Sequence, residues 1–319
     1  MTPSHWLIAD IGGTNSRLAV WQSSDGPRGQ IDDYASLRNA DFDTIDDMLA
    51  HYLDGLAGAR PTGGLLAIAG PITGDALRLL NIEWSFSIKT LSAKLNLEKL
   101  VVLNDFEALA HVLPVLGDSE YVQIGGGEAV DTAPSVLVGP GTGLGVASLV
   151  LDSAGHHIAV AGEGGHVSMA ATSHAEAAII EAVRHRFGHC SAERLLSGAG
   201  ISTLHGLLHG ETLDAATISK MAHDEHADAL ATFAQFFLFL GTVASNLALT
   251  LGARGGVYIG GGIVPANRVL FERSAFRERF LEKGRYKGYL EAIPTRLIIS
   301  RTPALDGLSA LLQEHANDP

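Results

Sequence analysis

The chain has 319 residues, of which 46% are hydrophobic and 18% are charged, so it is long enough to bury two hydrophobic cores and we expect two lobes. Its formal net charge of -13 repels nucleic acid and acidic membrane surfaces, and no cluster of lysines and arginines offsets that repulsion. The single cysteine, Cys190, excludes an intrachain disulfide, and the N-terminus has no signal-peptide pattern, which together predict a cytoplasmic protein.

The first motif is DIGGTN at residues 10–15, between two apolar stretches, residues 6–9 and 17–21, that predict strands. Two glycines let the backbone turn tightly so that its N–H groups can converge on an anion, and Asp10 at the strand end is placed to hold a metal ion or its water shell. The motif therefore predicts a phosphate-binding turn. An ordinary β-hairpin is the alternative, since Gly-Gly between apolar stretches is itself a turn signal.

Four further segments of the N-terminal half have the periodicity of regular structure: a helix at 42–56, strands at 65–69 and 100–103, and a helix at 106–113. Asn104 and Asp105 lie at the junction between the last strand and the last helix. Both residue types are favoured helix N-caps, and Asn104 with Glu107 three residues later resembles a capping box. A purely structural role is therefore one interpretation of this pair.

The pattern of strand, glycine turn and strand recurs at residues 135–151. There an apolar strand leads into GPGTGLG at residues 139–145, a second strand follows, and residues 156–161 predict one more. The glycine spacing does not fit Gly-x-Gly-x-x-Gly, a strand follows instead of a helix, and no Walker A motif occurs, so a Rossmann or P-loop fold is excluded. We predict a second phosphate-binding turn, one in each lobe. A mobile loop whose glycines only permit bends is the alternative.

The C-terminal half is mainly helical from residue 173 to 251, so an α/β part is followed by an α-rich part. Residues 229–251 carry no charge and are long enough to span a bilayer. Polar residues within them, among them Gln235, Ser245 and Asn246, and the direct run into a predicted strand at 255–259 instead favour a core helix, closed by Gly252. No linker of biased composition separates the parts, so the lobes are expected to pack closely with a cleft between them.

Seven short motifs occur in a fixed order along the chain: residues 10–15 (DIGGTN), 69–74 (AGPITG), 103–106 (LNDF), 139–145 (GPGTGLG), 162–166 (GEGGH), 191–194 (SAER) and 260–265 (GGGIVP). Together they resemble the bacterial glucokinases of the hexokinase, actin and heat-shock ATPase superfamily, over nearly the whole chain. The resemblance implies a duplicated, ribonuclease-H-like α/β fold, the actin-like ATPase fold, whose two lobes close on a cleft. It implies ATP with Mg2+ as donor and glucose as acceptor, and a homodimer is common among such relatives.

The same resemblance places the lobe boundaries. Residues 1–115 form the small α/β lobe, completed by a C-terminal segment, 300–319, and residues 116–299 form the large α+β lobe. The segment around residues 302–307 is expected to begin a last helix that returns to the N-terminal lobe. Within it Asp306 stands where relatives often carry an apolar or small residue.

For the chemistry, the resemblance points to Asp105. A carboxylate at a strand end can accept the proton of a sugar hydroxyl as its oxygen attacks the γ-phosphorus. The resemblance assigns contacts with the sugar hydroxyls to Asp105 and four further residues: Asn104, Glu163, His166 and Glu193.

The local signals for these sugar contacts differ in strength. Glu163 and His166 lie among three glycines, whose lack of side chains lets both polar side chains face a ligand closely. A solvated loop is the alternative. Glu193 has the weakest local signal, because residues 191–194 equally predict the start of a helix.

Nucleotide contacts are expected in the glycine turns. Asp10 is predicted to steer Mg2+ through water, since Mg2+ surrenders its waters reluctantly. The predicted phosphate contacts are Gly12, Gly13, Thr14 and Asn15 in one lobe and Gly141, Thr142 and Gly143 in the other. The predicted border of the adenosine is Gly260, Gly261 and Gly262, for which a closely packed strand-to-helix turn is a compatible interpretation.

The sequence bears on four other hypotheses. The fourteen histidines include two pairs at helical spacing, but a tight metal site needs three or four ligands, and the cysteine-rich zinc loop of repressor-like sugar kinases is lacking. A sugar-sensing transcription regulator would need a helix-turn-helix segment and a basic face. An actin-like ATPase without a sugar acceptor would have no use for the predicted sugar contacts. A kinase for fructose or mannose stays open, because a motif does not reveal the orientation of a hydroxyl.

Overall fold

The computed structural model describes residues 5–79 and 82–317 of the chain. The strands are β1 (His5–Ile11), β2 (Asn15–Gln22), β3 (Gln30–Arg38), β4 (Gly63–Ile68), β5 (Ala76–Arg78), β6 (Ser85–Ser87), β7 (Lys99–Asn104), β8 (Tyr121–Gly125), β9 (Ser135–Pro140), β10 (Leu144–Leu151), β11 (His157–Gly162), β12 (Gly256–Ile259) and β13 (Thr295–Ile298). The α-helices are α1 (Ile45–Asp54), α2 (Ile88–Lys94), α3 (Asp105–Ala110), α4 (His174–Phe187), α5 (Gly198–His209), α6 (Ala215–His223), α7 (Ala227–Leu251), α8 (Ile263–Ala266), α9 (Arg268–Glu272), α10 (Phe276–Leu281), α11 (Lys287–Glu291) and α12 (Pro303–Asn317).

The chain divides into two compact units. The first lies within Met1–Leu116, His156–Ala159 and Ser300–Pro319, and the second comprises Gly117–Gly155 and Val160–Ile299. No sequence signal indicated that residues 156–159 belong with the first unit. Their attachment is explained by His157, whose backbone N–H donates to Glu314 Oε1 at 2.8 Å and whose Nδ1 lies 3.1 Å from the same oxygen.

The first unit is built on a five-stranded sheet in the order β3-β2-β1-β4-β7. Strands β1 and β2 are antiparallel, whereas β1, β4 and β7 are parallel. Because successive side chains of a strand point to opposite faces, Leu7 and Ala9 of β1 join one hydrophobic cluster while Trp6 and Ile8 join another. Burial on both faces explains why β1 is a continuous apolar run.

The last helix, α12, covers the second of those faces. Its Leu305, Leu308 and Leu312 share a hydrophobic cluster with Trp6 and Ile8. Gly307 permits the close approach to α3, since a Cβ at this position would collide with the carbonyl oxygen of residue 108. The helix predicted at the C-terminus is therefore present and completes the core of the N-terminal unit.

The second unit repeats the first in its strand connections. Its sheet has the order β11-β10-β9-β12-β13-β8. Strands β9 and β10 are antiparallel, and β9, β12 and β13 are parallel, as β1, β2, β4 and β7 are in the first unit. The weak internal repeat of the sequence therefore corresponds to a repeated sheet topology.

Helix α7 forms the centre of the helical layer of the second unit. It packs against α5, α6 and α10, and Phe233, Phe236 and Phe237 are buried in one aromatic cluster. By length and composition alone this helix could cross a membrane, but 56% of its most apolar window is buried inside the unit. It ends at Gly252, which adopts a left-handed conformation with φ 61°. These contacts are those of the core helix predicted from the sequence.

Candidate active site

The first glycine turn connects β1 to β2 and is held by a buried asparagine. Asn39 donates from Nδ2 to the carbonyl oxygen of Gly12 at 2.8 Å, and its Oδ1 accepts from Ser16 Oγ at 2.7 Å. Its backbone N–H donates to Thr14 O at 2.9 Å. A Cβ at Gly12 would lie 2.7 Å from the oxygen of Asn15, so the turn is too tight for a side chain there. No local pattern indicates the role of Asn39, because its side-chain hydrogen bonds reach residues 23 and 27 positions away.

Asp10 lies at the end of β1 directly opposite Arg17 in β2. Arg17 Nη1 donates to Asp10 Oδ2 at 3.0 Å. Burial raises the pKa of Asp10, and the nearby guanidinium partly opposes that increase. A single carboxylate fits a magnesium ion that keeps most of its waters, and the described residues contain no group of three His, Cys, Asp or Glu side chains able to hold a metal ion.

Asn104 and Asp105 lie where β7 passes into α3. Asn104 Oδ1 accepts from the backbone N–H groups of Phe106 at 2.9 Å and Glu107 at 3.2 Å, and its Nδ2 donates to Gly70 O at 3.1 Å. Burial raises the pKa of Glu107, while a hydrogen bond from the backbone of Asn104 lowers it. The capping box suggested by the sequence is therefore present.

Asp105 is the first residue of α3. Its half-buried side chain accepts from the N–H of Phe106 through Oδ1 at 3.0 Å. Asn104 performs the capping, so a structural role for Asn104 does not remove Asp105 from the chemistry. A carboxylate is a group that can accept the proton of an alcohol.

The second glycine turn connects β9 to β10. Gly141 N–H donates to Gly143 O at 2.8 Å, and Gly198 N–H donates to Gly141 O at 2.9 Å. The N–H of Leu144, the first residue after the turn, donates to Glu193 Oε2 at 2.9 Å. Thr142 is exposed at the tip. The turn is thus fixed on both sides of Thr142 and Gly143.

Glu163 and His166 lie on a short 3-10 segment after β11. Their side chains are 68% and 61% exposed, and Oε2 of Glu163 lies 3.8 Å from Nε2 of His166. Both polar ends are therefore accessible to a ligand. Glu193 lies in a turn, and its backbone N–H donates to Gly165 O at 2.9 Å. The alternative that residues 191–194 begin a helix is wrong, because α5 begins at Gly198, capped by Ser197.

The glycines predicted to border the adenosine follow β12. Gly260 N–H donates to Val138 O of β9 at 3.0 Å. Gly261 has φ 73°, and a Cβ there would collide with Pro140 O, immediately before the second glycine turn. Close packing therefore requires glycine at 261, as the structural interpretation of this motif expects.

Asp306 and the histidine pairs have local partners. Asp306 Oδ2 accepts from Ser300 Oγ at 2.7 Å, within the first unit. His205 is fully buried and its Nδ1 lies 2.9 Å from Thr232 Oγ1, while His185 Nε2 lies 3.1 Å from Glu181 Oε1. These contacts give His205 a structural role between α5 and α7, and His185 one within α4.

Comparison with known proteins identifies relatives along almost the full chain. The family model described as Glucokinase matches residues 7–315. A glucokinase of Chromobacterium violaceum is 46% identical over 324 aligned residues, covering 98% of this chain and 91% of the relative.

Solved structures give the same result for the fold. A glucokinase from an Antarctic psychrotroph superimposes with a TM-score of 0.88 at 35% identity, covering 97% of this chain and 98% of that one. A glucokinase of Balamuthia mandrillaris, solved in complex with glucose, has a TM-score of 0.79 at 22% identity, covering 98% and 94% of the two chains. The predicted duplicated α/β fold, the actin-like ATPase fold of sugar kinases, is confirmed.

Proposed function

This chain belongs to the glucokinase family, and we propose that it transfers the γ-phosphoryl group of ATP to glucose, with Asp105 as the general base. The observation that carries the proposal is the match to the Glucokinase model over residues 7–315. That range includes every residue predicted from the sequence to contact sugar or nucleotide.

In the proposed reaction, Asp105 accepts the proton of the sugar hydroxyl while that oxygen bonds to the γ-phosphorus. The bond from the γ-phosphorus to the β-phosphate oxygen breaks, and ADP and glucose 6-phosphate leave. A positioned general base contributes about 10²- to 10⁴-fold to the rate. The position of Asp105 at the start of α3, beside a separate capping residue, supports this assignment.

The remaining sugar contacts are proposed for Asn104, Glu163, His166 and Glu193. A bound hexose exchanges water for protein at several hydroxyls, and each hydroxyl left unpaired costs affinity. The exposed carboxylate of Glu163 and imidazole of His166 offer an acceptor and a group that serves as acceptor or donor. Asn104 already uses its side chain to cap α3, so the sugar contact is proposed as an additional one.

Phosphate contacts are proposed for the two glycine turns, residues 12–15 and 141–143, and adenosine contacts for Gly260, Gly261 and Gly262. Mg2+ supplies charge neutralisation on the phosphates when it is bound. Asp10 would hold it through water, and Arg17, which already neutralises Asp10 at 3.0 Å, would then compete with the ion.

The mutation Asp105→Asn tests the proposed base. It removes the proton acceptor and keeps the shape, so turnover with glucose and ATP should fall by at least about 10²-fold, while glucose affinity stays within an order of magnitude. Glu107→Gln, in the same helical turn, is the matched control and should keep turnover within about twofold. Turnover of Asp105→Asn close to that of the unmodified chain would remove Asp105 from the mechanism.

Another hexose, such as fructose or mannose, is the second candidate acceptor. Initial rates for a panel of hexoses at fixed ATP, measured through ADP release, decide between them. ADP release that does not depend on any sugar would instead indicate an ATPase. Two further proposals come from the sequence. A homodimer is implied by the resemblance, and light scattering tests it. A cytoplasmic location is predicted from the single cysteine and the N-terminal pattern, and cell fractionation tests it.

A further inference from the structure

Glu193 connects the predicted sugar-binding segment of the second unit to its glycine turn. Its backbone N–H donates to Gly165 O, between Glu163 and His166, at 2.9 Å. Its side-chain Oε2 accepts the N–H of Leu144, directly after the turn at residues 141–143, at 2.9 Å. One residue therefore contacts both segments, 28 and 49 positions away in the chain.

The neighbourhood of Glu193 is fixed by the backbone. Ser197 Oγ donates to Glu193 O at 2.8 Å, and Gly198 N–H donates to Gly141 O at 2.9 Å. On the other side, Ala192 N–H donates to Val167 O at 2.9 Å. The segment that carries Glu193 is therefore anchored at the glycine turn and at the sugar-binding segment.

Packing around the carboxylate is tight. A Cβ at Gly143 would lie 2.5 Å from Glu193 Oε2, so a side chain at 143 would displace the carboxylate. A Cβ at Gly165 would collide with Leu144 O. The Glu193 carboxylate therefore lies in direct contact with the glycine turn.

We infer that Glu193 is a positioning residue for the second glycine turn, through which a bound sugar increases the affinity for nucleotide. This inference rests on the proposed function, in which Glu193 contacts the sugar. A sugar hydroxyl that donates to this carboxylate restricts its rotation while Oε2 keeps the N–H of Leu144. The remaining rotational freedom of the Glu193 side chain is then lost on sugar binding and not again when the phosphates bind. By reciprocity, nucleotide increases the affinity for sugar by the same factor.

The test measures the dissociation constant of ADP with Mg2+, by titration calorimetry, with and without saturating glucose. Without glucose, Glu193→Ala should weaken ADP binding by about tenfold, because a charge-assisted hydrogen bond that orders the turn is lost. Glu193→Gln retains an acceptor for Leu144 and should stay within about threefold of the unmodified chain. Glu181→Gln, on the outer face of α4 and outside every proposed contact, is the control and should stay within about twofold.

Glucose should strengthen ADP binding several-fold in the unmodified chain and by less than twofold in Glu193→Ala. Glu193→Asp, whose carboxylate is one methylene shorter, replaces Glu193→Ala if that variant does not fold, and the same loss is expected. Unchanged ADP binding without glucose in Glu193→Ala and Glu193→Asp, or an undiminished effect of glucose in them, would overturn the inference. The activity assay separates this outcome from failure of the proposed function: a chain that phosphorylates glucose while its ADP affinity ignores Glu193 refutes the inference alone.

Discussion

The two glycine turns of the molecule have the same topology but are held by different chemistry. Each connects two antiparallel strands, and each is fixed by one polar side chain from a distant part of the chain. Asn39 holds the first turn from a position that is 2% exposed, and it is a neutral amide paired only with protein groups. Glu193 holds the second turn with a half-buried carboxylate that is also a proposed sugar contact. If Glu193 contacts the sugar as proposed, the repeated fold combines one permanent clamp, Asn39, with one responsive clamp, Glu193.

The largest effect is expected where the second turn meets the sugar-binding segment. Gly165→Ala places a methyl group against Leu144 O, a backbone atom, and should destabilise the second unit by about 3 kcal/mol. Urea unfolding followed by circular dichroism, with amide exchange of β9 and β10, measures this loss. Gly162→Ala, in the same motif but with open space around its Cβ, should change stability by less than about 0.5 kcal/mol. Equal stabilities would show that the two segments are not in contact.

Asn39→Ala removes the side-chain hydrogen bonds that hold the first glycine turn. The substitution leaves the buried hydroxyl of Ser16 and the carbonyl of Gly12 without partners, so the first unit should lose about 2 kcal/mol. The three tryptophans, Trp6, Trp21 and Trp84, all lie in the first unit, so their fluorescence during urea unfolding reports on that unit.

The control for that substitution is Gln30→Ala, which removes an exposed amide of the same unit and should cost less than about 0.5 kcal/mol. If Asn39 is only structural, Asn39→Ala should leave the effect of glucose on ADP affinity unchanged. A reduced effect of glucose would contradict the distinction between a permanent and a responsive clamp.

The stability of the first unit should also depend on pH, because His111 is buried in it. Burial lowers the pKa of His111 from 6.5 to about 4. The unfolded chain therefore binds a proton between these values that the folded chain does not, so stability is complete above pH 6.5 and decreases as pH falls towards 4. Between pH 7 and pH 5 the loss is about 2 kcal/mol. Urea unfolding of the unmodified chain and of His111→Leu at both pH values measures this loss. An equal pH dependence of the unfolding free energy in the two proteins would exclude His111 as the cause.

The smallest effect is expected for Cys190, three residues before Glu193. Its thiol is 3% exposed, and burial raises its pKa to about 11, so it stays protonated and unreactive at neutral pH. Cys190→Ala should cost about 1 kcal/mol through lost packing and leave turnover within about twofold. A larger loss of turnover would show that packing around Glu193, in addition to its carboxylate, sets the geometry of the second turn.

The sequence was sufficient for elements whose cause is local. The apolar runs of β1, β4, β9 and β12, the helix α7 and both glycine turns follow from hydrophobic periodicity and the conformational freedom of glycine. The predicted boundaries of some elements differ from the observed ones by a few residues. The helix predicted at 106–113, for example, is α3, which ends at Ala110.

The clamps were not predictable, because each depends on a hydrogen bond between residues far apart in the chain. Asn39 follows β3 in a short 3-10 turn and has no distinctive neighbours in sequence. The segment 191–194 has the composition of a helix start, and only its pairing with residues 165–169 shows that it is a turn. Tertiary contacts of this kind override local propensity.

The position of α12 has a consequence for synthesis on the ribosome. Strand β1 is translated before α12, yet the face of β1 that carries Trp6 and Ile8 is covered by that helix. The N-terminal strands therefore keep an uncovered apolar surface until α12 has been translated, whereas Gly117–Gly155 and Val160–Ile299 can complete their own core without that helix. Nascent chains stalled before residue 303 should accordingly engage chaperones through the N-terminal sheet.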